Sequence, residues 1–214
     1  DWANIRGIGK IKGIRARTKL IWLFLIAALG AWWFFYKLGF HTLHIPRVGD
    51  VELGFWYVPL FIFVVVSAAN AVNITDGLDG LAAGLSAFVF GAYTIICLLK
   101  GQFGLAYFNA SLVGALLAFL WFNIYPARFF MGDTGSLSLG ATLGVMAMLT
   151  DTVVILPIIA FVFLVELCSS ALQIFSKKVF KRKIFVAAPI HHHFEAKGWA
   201  EVKVTMRFWV IGIV

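Results

Sequence analysis

The chain has 214 residues, of which 62% are apolar and only 13% are charged, and its formal net charge is +8. Soluble domains are about half apolar and about a quarter charged, so this composition excludes an ordinary water-soluble domain and predicts a polytopic membrane protein. The excess of basic residues favours contact with anionic lipid or an anionic substrate, and we expect no nucleic-acid partner.

Long apolar runs predict the membrane-spanning helices in chain order. A helix of about 20 apolar residues crosses the hydrocarbon core of a bilayer. The fifth run is the weakest, because it is short and rich in Gly and Ser. The expected fold is all-α, a single transmembrane domain over 1–214 with a loop at 177–204 that carries three histidines. The six runs lie at 19–38, 55–73, 79–99, 106–125, 134–150 and 153–176, and a seventh starts near 205.

The basic residues give the orientation of these spans. If six spans alternate, all Lys and Arg residues except Lys37, Arg47 and Lys100 fall on one side of the membrane. Basic loops are retained in the cytoplasm, so that side is predicted to be cytoplasmic. Omitting the fifth span would place the basic loop at 177–204 opposite the basic N-terminal segment, which supports keeping it. Both ends look cut, so we expect a piece of a longer protein.

A polar stretch separates the second and third apolar runs, with the sequence Asn70-Ala-Val-Asn73-Ile-Thr-Asp76-Gly-Leu-Asp79-Gly80. Carboxylates are costly at membrane depth, so their presence indicates a function. The polar residues recur every three positions, which would place them near one helical face if the helix continued. A solvated helix end with capping Asn, Thr and Asp is the alternative. We favour a site that handles a cation, a phosphate or both.

A second polar motif follows the fourth span and extends from Phe122 to Ser136. Pro126 is expected to end one helix, and Asp133 or Thr134 can cap the next. A helix N-terminus favours anions, and an Asp placed there could instead hold Mg²⁺ that bridges phosphates. An ordinary helix cap fits this motif equally well.

Three consecutive histidines lie in the segment Pro189-Ile-His191-His192-His193-Phe-Glu195. Neighbouring side chains of a regular helix or strand point in different directions, so the three rings cannot all face one metal ion. Imidazoles can donate to phosphate or exchange a proton near neutral pH, and a solvated polar loop is the alternative. In the sixth span, Glu166 and Gln173 lie seven residues apart on one face, and Glu166 is expected to make a buried polar contact.

Together, the three motifs resemble those of the polyprenyl-phosphate N-acetylhexosamine-1-phosphate transferases. The match covers essentially the whole chain, and the segment from Pro189 to Trp209 favours the bacterial branch that acts on phospho-MurNAc-pentapeptide. The resemblance implies transfer of this group from UDP-MurNAc-pentapeptide to undecaprenyl phosphate, which gives lipid I and UMP for peptidoglycan synthesis. It also implies Mg²⁺, a homodimer, and a ten-span fold in the bacterial inner membrane with a cytoplasmic active site.

The resemblance also assigns roles to individual residues. Asp133 is implied to bind Mg²⁺, and Asp1 is implied to be the second member of an Asp pair whose first member this chain does not contain. The isolated chain is therefore expected to be inactive. Direct attack by the lipid phosphate and a covalent intermediate on Asp1 both fit. The implied catalytic residues are Asp1, Asp133, His191, His192 and His193, and the implied substrate-binding residues are Asn70, Asn73, Asp76, Asp79, Asn123, Phe130, Gly132, Ser136, Gln173 and Arg17.

Three other functions compete with this interpretation. The first is a related prenyl-phosphate transferase for another amino sugar. The second is a secondary transporter, which predicts polar residues deep in several spans, whereas Glu166 is the main one here. The third is a non-catalytic membrane scaffold, which has no need of Asp, Asn, Gly and His gathered on one side.

Overall fold

The computed structural model describes residues 16–213, with side chains from Arg17 onward. This part of the chain is mostly helical. A π-helical segment, Trp33–Lys37, extends the first helix, and a 3₁₀ turn, Gly54–Trp56, precedes the second. The elements are α1 (Ala16–Trp32), β1 (Thr42–Ile45), β2 (Gly49–Glu52), α2 (Tyr57–Thr75), α3 (Leu81–Leu99), α4 (Phe103–Asn123), α5 (Gly132–Leu149), α6 (Leu156–Ile159), α7 (Phe161–Val179), α8 (Ile190–Ala196) and α9 (Glu201–Ile213).

Four helical segments of the described chain are long and apolar enough to cross a membrane: Arg17–Lys37, Gly54–Thr75, Leu81–Leu99 and Phe103–Asn123. Many large apolar side chains on these helices, such as Trp121, point away from the protein. Such a surface is unfavourable in water and suited to lipid. The prediction of a helical membrane protein is confirmed.

The fifth and sixth predicted spans are also helical, as α5 and α7, although neither is among the four segments above. The sixth was expected to start at 153. Instead the short helix α6 comes first, and the backbone leaves helical geometry at Ala160, with φ −106° and ψ 34°. The long helix α7 therefore starts at Phe161 and extends to Val179.

An antiparallel hairpin departs from the all-α expectation. Strands β1 and β2 pair Thr42 with Glu52 and His44 with Asp50. The sequence carries a signal for it, because polar and apolar residues alternate in Thr42-Leu-His-Ile45. Alternation with a period of two is typical of strands, and Pro46 to Val48 form the turn between them.

The described residues form two compact units. The first unit contains α1, the hairpin, α2 as far as Ala69, and α5. The second contains the last residues of α2, from Asn70, together with α3, α4 and α6 to α9.

In the first unit, α5 packs closely on α2 through two glycines. A Cβ atom added at Gly140 would lie 2.5 Å from the carbonyl oxygen of Ala68, and one added at Gly144 would lie 2.8 Å from the Cα of Val65. Only glycine allows two helix backbones to approach so closely. The spacing Gly140-x-x-x-Gly144, which is typical of helix-packing sites in membrane proteins, therefore marks such a site here.

In the second unit, α9 packs on α3 through an indole ring. A Cβ atom at Gly84 would lie 2.2 Å from the ring of Trp209, and the Trp209 Nε1–H donates a hydrogen bond of 3.2 Å to the carbonyl oxygen of Gly80. The pair Gly80 and Gly84 thus also marks close packing. Because Gly80 is the residue immediately before α3, this contact holds α9 at the polar turn that precedes α3.

Candidate functional site

The polar stretch forms the end of α2 and the turn that leads into α3. The helix ends at Thr75, so it does not continue through Asp76 and Asp79, which lie in the turn. The turn ends at Gly80, whose φ of 73° lies in the left-handed region that glycine adopts without strain. Asn70, Asn73, Asp76 and Asp79 are all half-buried.

Asp79 and Asn123 tie this turn to the segment that follows α4. The Asp79 Oδ2 accepts a hydrogen bond of 2.9 Å from the Ala127 N–H. The Asn123 Oδ1 accepts one of 3.2 Å from the Gly80 N–H, and its Nδ2 donates one of 2.7 Å to the Phe129 carbonyl oxygen. These contacts give both side chains a role in fixing the shape of the turn, and their implied role in substrate binding stays a prediction.

The three histidines of α8 each use Nδ1 for a different partner. This arrangement agrees with the prediction that the three rings cannot share one metal ion. His191 and His192 lie edge to face, with ring centroids 4.1 Å apart. The Nδ1 partners are Glu166 Oε2 at 2.9 Å for His191, Glu195 Oε2 at 2.5 Å for His192, and the Val186 N–H at 3.1 Å for His193.

The pair formed by Glu166 and His191 is completely buried, with both side chains 0% exposed. The predicted buried polar contact of Glu166 is therefore confirmed, and its partner is the first histidine of the motif. The Nε2 of His191 has no hydrogen-bond partner among the described residues. Because buried polar atoms are normally hydrogen-bonded, this nitrogen is a candidate contact for a ligand.

Two imidazole edges meet the polar turn at Gly77. A Cβ atom added at Gly77 would lie 2.5 Å from the Nε2 of His191 and 3.5 Å from the Nε2 of His192. Gly77 itself is exposed. The second unit thus brings two predicted site residues of α8 against the predicted turn, with no side chain between them.

Gln173 holds the segment after α7. Its Oε1 accepts hydrogen bonds of 3.0 Å from the backbone N–H groups of Ile184 and Phe185, and its Nε2 donates one of 2.8 Å to the Phe185 carbonyl oxygen. The amide therefore braces the loop that carries the histidines. Its implied place in a nucleotide-sugar pocket stays a prediction.

In the first unit, Asp133 lies in the first turn of α5 and forms an ion pair with Lys19 of α1. The Asp133 side chain is 29% exposed, and a carboxylate is favourable at a helix N-terminus. Ser136 is buried, and its Oγ donates a hydrogen bond of 2.8 Å to the carbonyl oxygen of Gly132. Of these residues, sequence reasoning missed Lys19, because its pairing across 114 positions has no local signal.

Phe130, Arg17 and Asp1 complete the set of predicted site residues. Phe130, in the second unit, is 75% exposed, which leaves its ring available for stacking. Arg17, in the first unit, is exposed near the start of α1. Asp1 lies outside the described residues, so its predicted role is not addressed by the structure.

Sequence reasoning also missed a cluster in the first unit. The side chains of His44, Asp50 and Asp151 bring one ligand atom each to within 4.8 Å of one another. This group could hold a divalent cation. The hairpin register places His44 opposite Asp50, and the strand-like alternation could have revealed that pair. No sequence pattern points to Asp151 as the third member.

Comparison with known proteins gives the same family as the motifs. Residues 8–151, more than half of the chain, match the family model described as glycosyl transferase family 4. Among curated relatives, the phospho-N-acetylmuramoyl-pentapeptide-transferase of Geobacillus sp. (strain WCH70) is 46% identical over 94% of this chain and 63% of its own length. Proteins of the same name from Caldanaerobacter subterraneus and Geobacter sp. (strain M21) are 42% and 45% identical.

The Caldanaerobacter match covers 94% of this chain and 64% of the relative, and the Geobacter match covers 95% and 62%. The chain therefore spans a little under two thirds of the length of the curated relatives that it matches. The resemblance inferred from the motifs is confirmed, and the chain belongs to glycosyl transferase family 4.

Proposed function

We propose that this chain is part of an enzyme that transfers phospho-MurNAc-pentapeptide from UDP-MurNAc-pentapeptide to undecaprenyl phosphate, with lipid I and UMP as products. The relatives are phospho-N-acetylmuramoyl-pentapeptide-transferases, and this name supports the identity of the transferred group. The observation that carries the proposal is the meeting of the His191 and His192 Nε2 edges at Gly77, in the polar turn. Small residues and imidazole donors are suited to a phosphate that must approach the backbone.

The proposed reaction requires the protein mainly to position the two phosphate groups and to offset their negative charge. An oxygen of undecaprenyl phosphate forms a bond to the sugar-bearing phosphorus, and the bond from that phosphorus to the bridging oxygen breaks, so that UMP leaves with the bridging oxygen. Attack by one phosphate on a diphosphate brings several negative charges together. Protein groups that orient these phosphates and offset their charge therefore supply most of the rate enhancement.

We propose that the second unit binds the diphosphate and the nucleotide of the sugar donor. The contact between Glu195 and the His192 Nδ1 fixes the orientation of the His192 ring, and therefore also the position of its Nε2. The buried Glu166 does the same for His191. In this proposal the two Nε2 positions contact the diphosphate, while the exposed ring of Phe130 stacks on uracil. Asn70, Asn73, Asp76, Asp79, Asn123 and Gln173 bind or shape the nucleotide-sugar pocket, and His193 supports the loop.

Asp133 fits the requirements for holding Mg²⁺. The ion takes hard oxygen ligands, and it is commonly held by one or two carboxylates together with substrate phosphates and water. Asp133 offers a partly exposed carboxylate, and its partner Lys19 is a partly exposed cation on a long side chain. When bound, Mg²⁺ would offset phosphate charge at this position. Lys19 would then be available to pair with a substrate phosphate, and Gly132 and Ser136 would shape the turn around Asp133.

We propose that the chain crosses the bacterial inner membrane six times and begins a seventh span near residue 205. Asp133 would lie at the cytoplasmic face, and the protein would be a homodimer. The first unit supports counting α5 as a span. Lys19 near the start of α1 meets Asp133 at the start of α5, and the hairpin that follows α1 meets Asp151 just after α5. Helices α1 and α5 are therefore parallel, and both run from the end of this unit that contains Lys19 to the end that contains Asp151. The basic residues favour the Lys19 end as the cytoplasmic one.

Replacing His192 by Ala should lower UMP release by about 10- to 100-fold, the cost of losing a hydrogen bond to a charged group. The natural protein would be assayed in detergent micelles with both substrates. The control is His41→Ala, because His41 is an exposed histidine of the hairpin segment that has no role in the proposal. Equal turnover by the two variants would remove His192 from the site.

The choice of sugar separates the proposal from its nearest alternative, a transferase for another amino sugar. UDP-MurNAc-pentapeptide and UDP-N-acetylglucosamine would each be supplied with undecaprenyl phosphate, and the lipid-linked product identified by mass spectrometry. We expect product from the muramoyl substrate and none from the other. Preference for UDP-N-acetylglucosamine would assign the chain to a different branch of the family.

A further inference from the structure

The hairpin of the first unit presents a compact set of metal-ligating atoms. His44 and Asp50 face each other across the strand pair, and the His44 Nδ1 lies 2.6 Å from the Asp50 Oδ1. Asp151 joins them, because its Oδ1 accepts a hydrogen bond of 3.0 Å from the His44 backbone N–H. The hairpin thus supplies one imidazole nitrogen and one carboxylate, and the segment just after α5 supplies the second carboxylate.

This cluster is separate from the carboxylate proposed to hold Mg²⁺. Asp133 lies in the first turn of α5, whereas Asp151 lies two residues beyond its last residue, Leu149. An α-helix rises about 1.5 Å per residue, so the 18 residues of α5 span about 27 Å, and the two carboxylates lie at opposite ends of this helix. A single ion cannot serve both, and the function proposed above makes no use of the cluster.

A buried hydroxyl gives an independent indication of a ligand at the cluster. Tyr57, at the start of α2, is only 2% exposed, and its hydroxyl has no hydrogen-bond partner in the described part of the chain. Asp151 is close enough to act on this hydroxyl electrostatically. Buried hydroxyl groups normally have a partner, and a water molecule held by an ion at Asp151 would supply one.

We propose that His44, Asp50 and Asp151 bind a divalent transition-metal ion of the Zn²⁺ class. A set of one imidazole and two carboxylates suits Zn²⁺ better than Mg²⁺, which takes oxygen ligands, and three protein ligands leave one position for water. On binding, the metal replaces the hydrogen bond between His44 and Asp50. The ion then fastens the hairpin to the end of α5, at the end of the first unit opposite Asp133.

The test is the number of Zn²⁺ ions that the natural protein binds, measured by equilibrium dialysis against Zn²⁺ and elemental analysis. We expect His44→Ala and Asp151→Asn each to lose one equivalent relative to the unmodified protein. His41→Ala removes a nearby exposed histidine outside the cluster and should keep that equivalent. Asp133→Asn should also keep it, which distinguishes this site from the proposed Mg²⁺ site. Equal stoichiometry in the unmodified protein, His44→Ala and Asp151→Asn would overturn the proposal.

A second measurement covers the case in which a variant folds poorly. Co²⁺ added to the unmodified protein should give the visible absorption of a low-symmetry site with nitrogen and oxygen ligands, and added Zn²⁺ should abolish it. The same Co²⁺ spectrum should be lost in His44→Gln, a milder change at an exposed position of β1. An unchanged spectrum in a correctly folded His44→Gln protein would place the ion elsewhere and refute the assignment.

Discussion

Replacing Asp133 by Asn should reduce UMP release by at least about 100-fold, the scale on which a single electrostatic contact to a transition state contributes. The change keeps the size and shape of the side chain but removes the charge that the proposed Mg²⁺ requires. It also removes the ion pair with Lys19, which is partly exposed and contributes little to stability. The protein should therefore remain folded and inserted in the membrane while its activity is lost.

This prediction has a matched control on the hairpin. Glu52→Gln removes an exposed carboxylate of the hairpin that neither the proposed reaction nor the proposed zinc site uses, and it should leave UMP release unchanged. Both variants would be compared at several Mg²⁺ concentrations after size-exclusion chromatography has shown intact protein. Wild-type activity in Asp133→Asn, or full activity of the unmodified protein in excess EDTA, would contradict a metal role for Asp133.

Replacing Gly140 by Ala should lower the free energy of unfolding by about 1–3 kcal/mol, the usual cost of overpacking. The added Cβ would lie 2.5 Å from the backbone of Ala68 and Ala69, and backbone atoms of a helix cannot turn aside as a flexible side chain can. Helices α2 and α5 would have to separate along their contact. The effect should appear as a lower midpoint of thermal unfolding in detergent.

Gly114→Ala provides the comparison for this substitution. Gly114 lies within α4, and a Cβ added there would meet no atom within 4 Å. Ala is a better helix former than Gly by about 0.5–1 kcal/mol, so this variant should be neutral or slightly stabilised. If Gly140→Ala and Gly114→Ala unfold at the same temperature, the close contact of α2 and α5 is wrong.

The sequence was sufficient to predict the long apolar helices, because membrane-spanning segments depend on the local density of apolar residues. It also predicted that Glu166 makes a buried contact, since an isolated carboxylate in an apolar helix needs a partner. The close-packing glycines could be recognised by their spacing alone. Each of these predictions rests on residues within one helix.

Contacts that join distant parts of the chain could not be predicted in the same way. Nothing near Lys19 indicates that it pairs with Asp133, and nothing near Gln173 indicates that its amide binds the backbone of 184–185. The turn at Asp76 illustrates the same limit. A spacing of three suggested one helical face, but the helix ends at Thr75 and a glycine-rich turn follows.

The central claim is that the chain is part of a phospho-MurNAc-pentapeptide transferase. It is tested most directly by following UMP and lipid-linked sugar together, with the natural protein, UDP-MurNAc-pentapeptide, undecaprenyl phosphate and Mg²⁺. We predict that the two products form in equal amounts and only when both substrates are present. UMP released without the lipid acceptor, or no UMP from protein shown to be folded, would contradict the account.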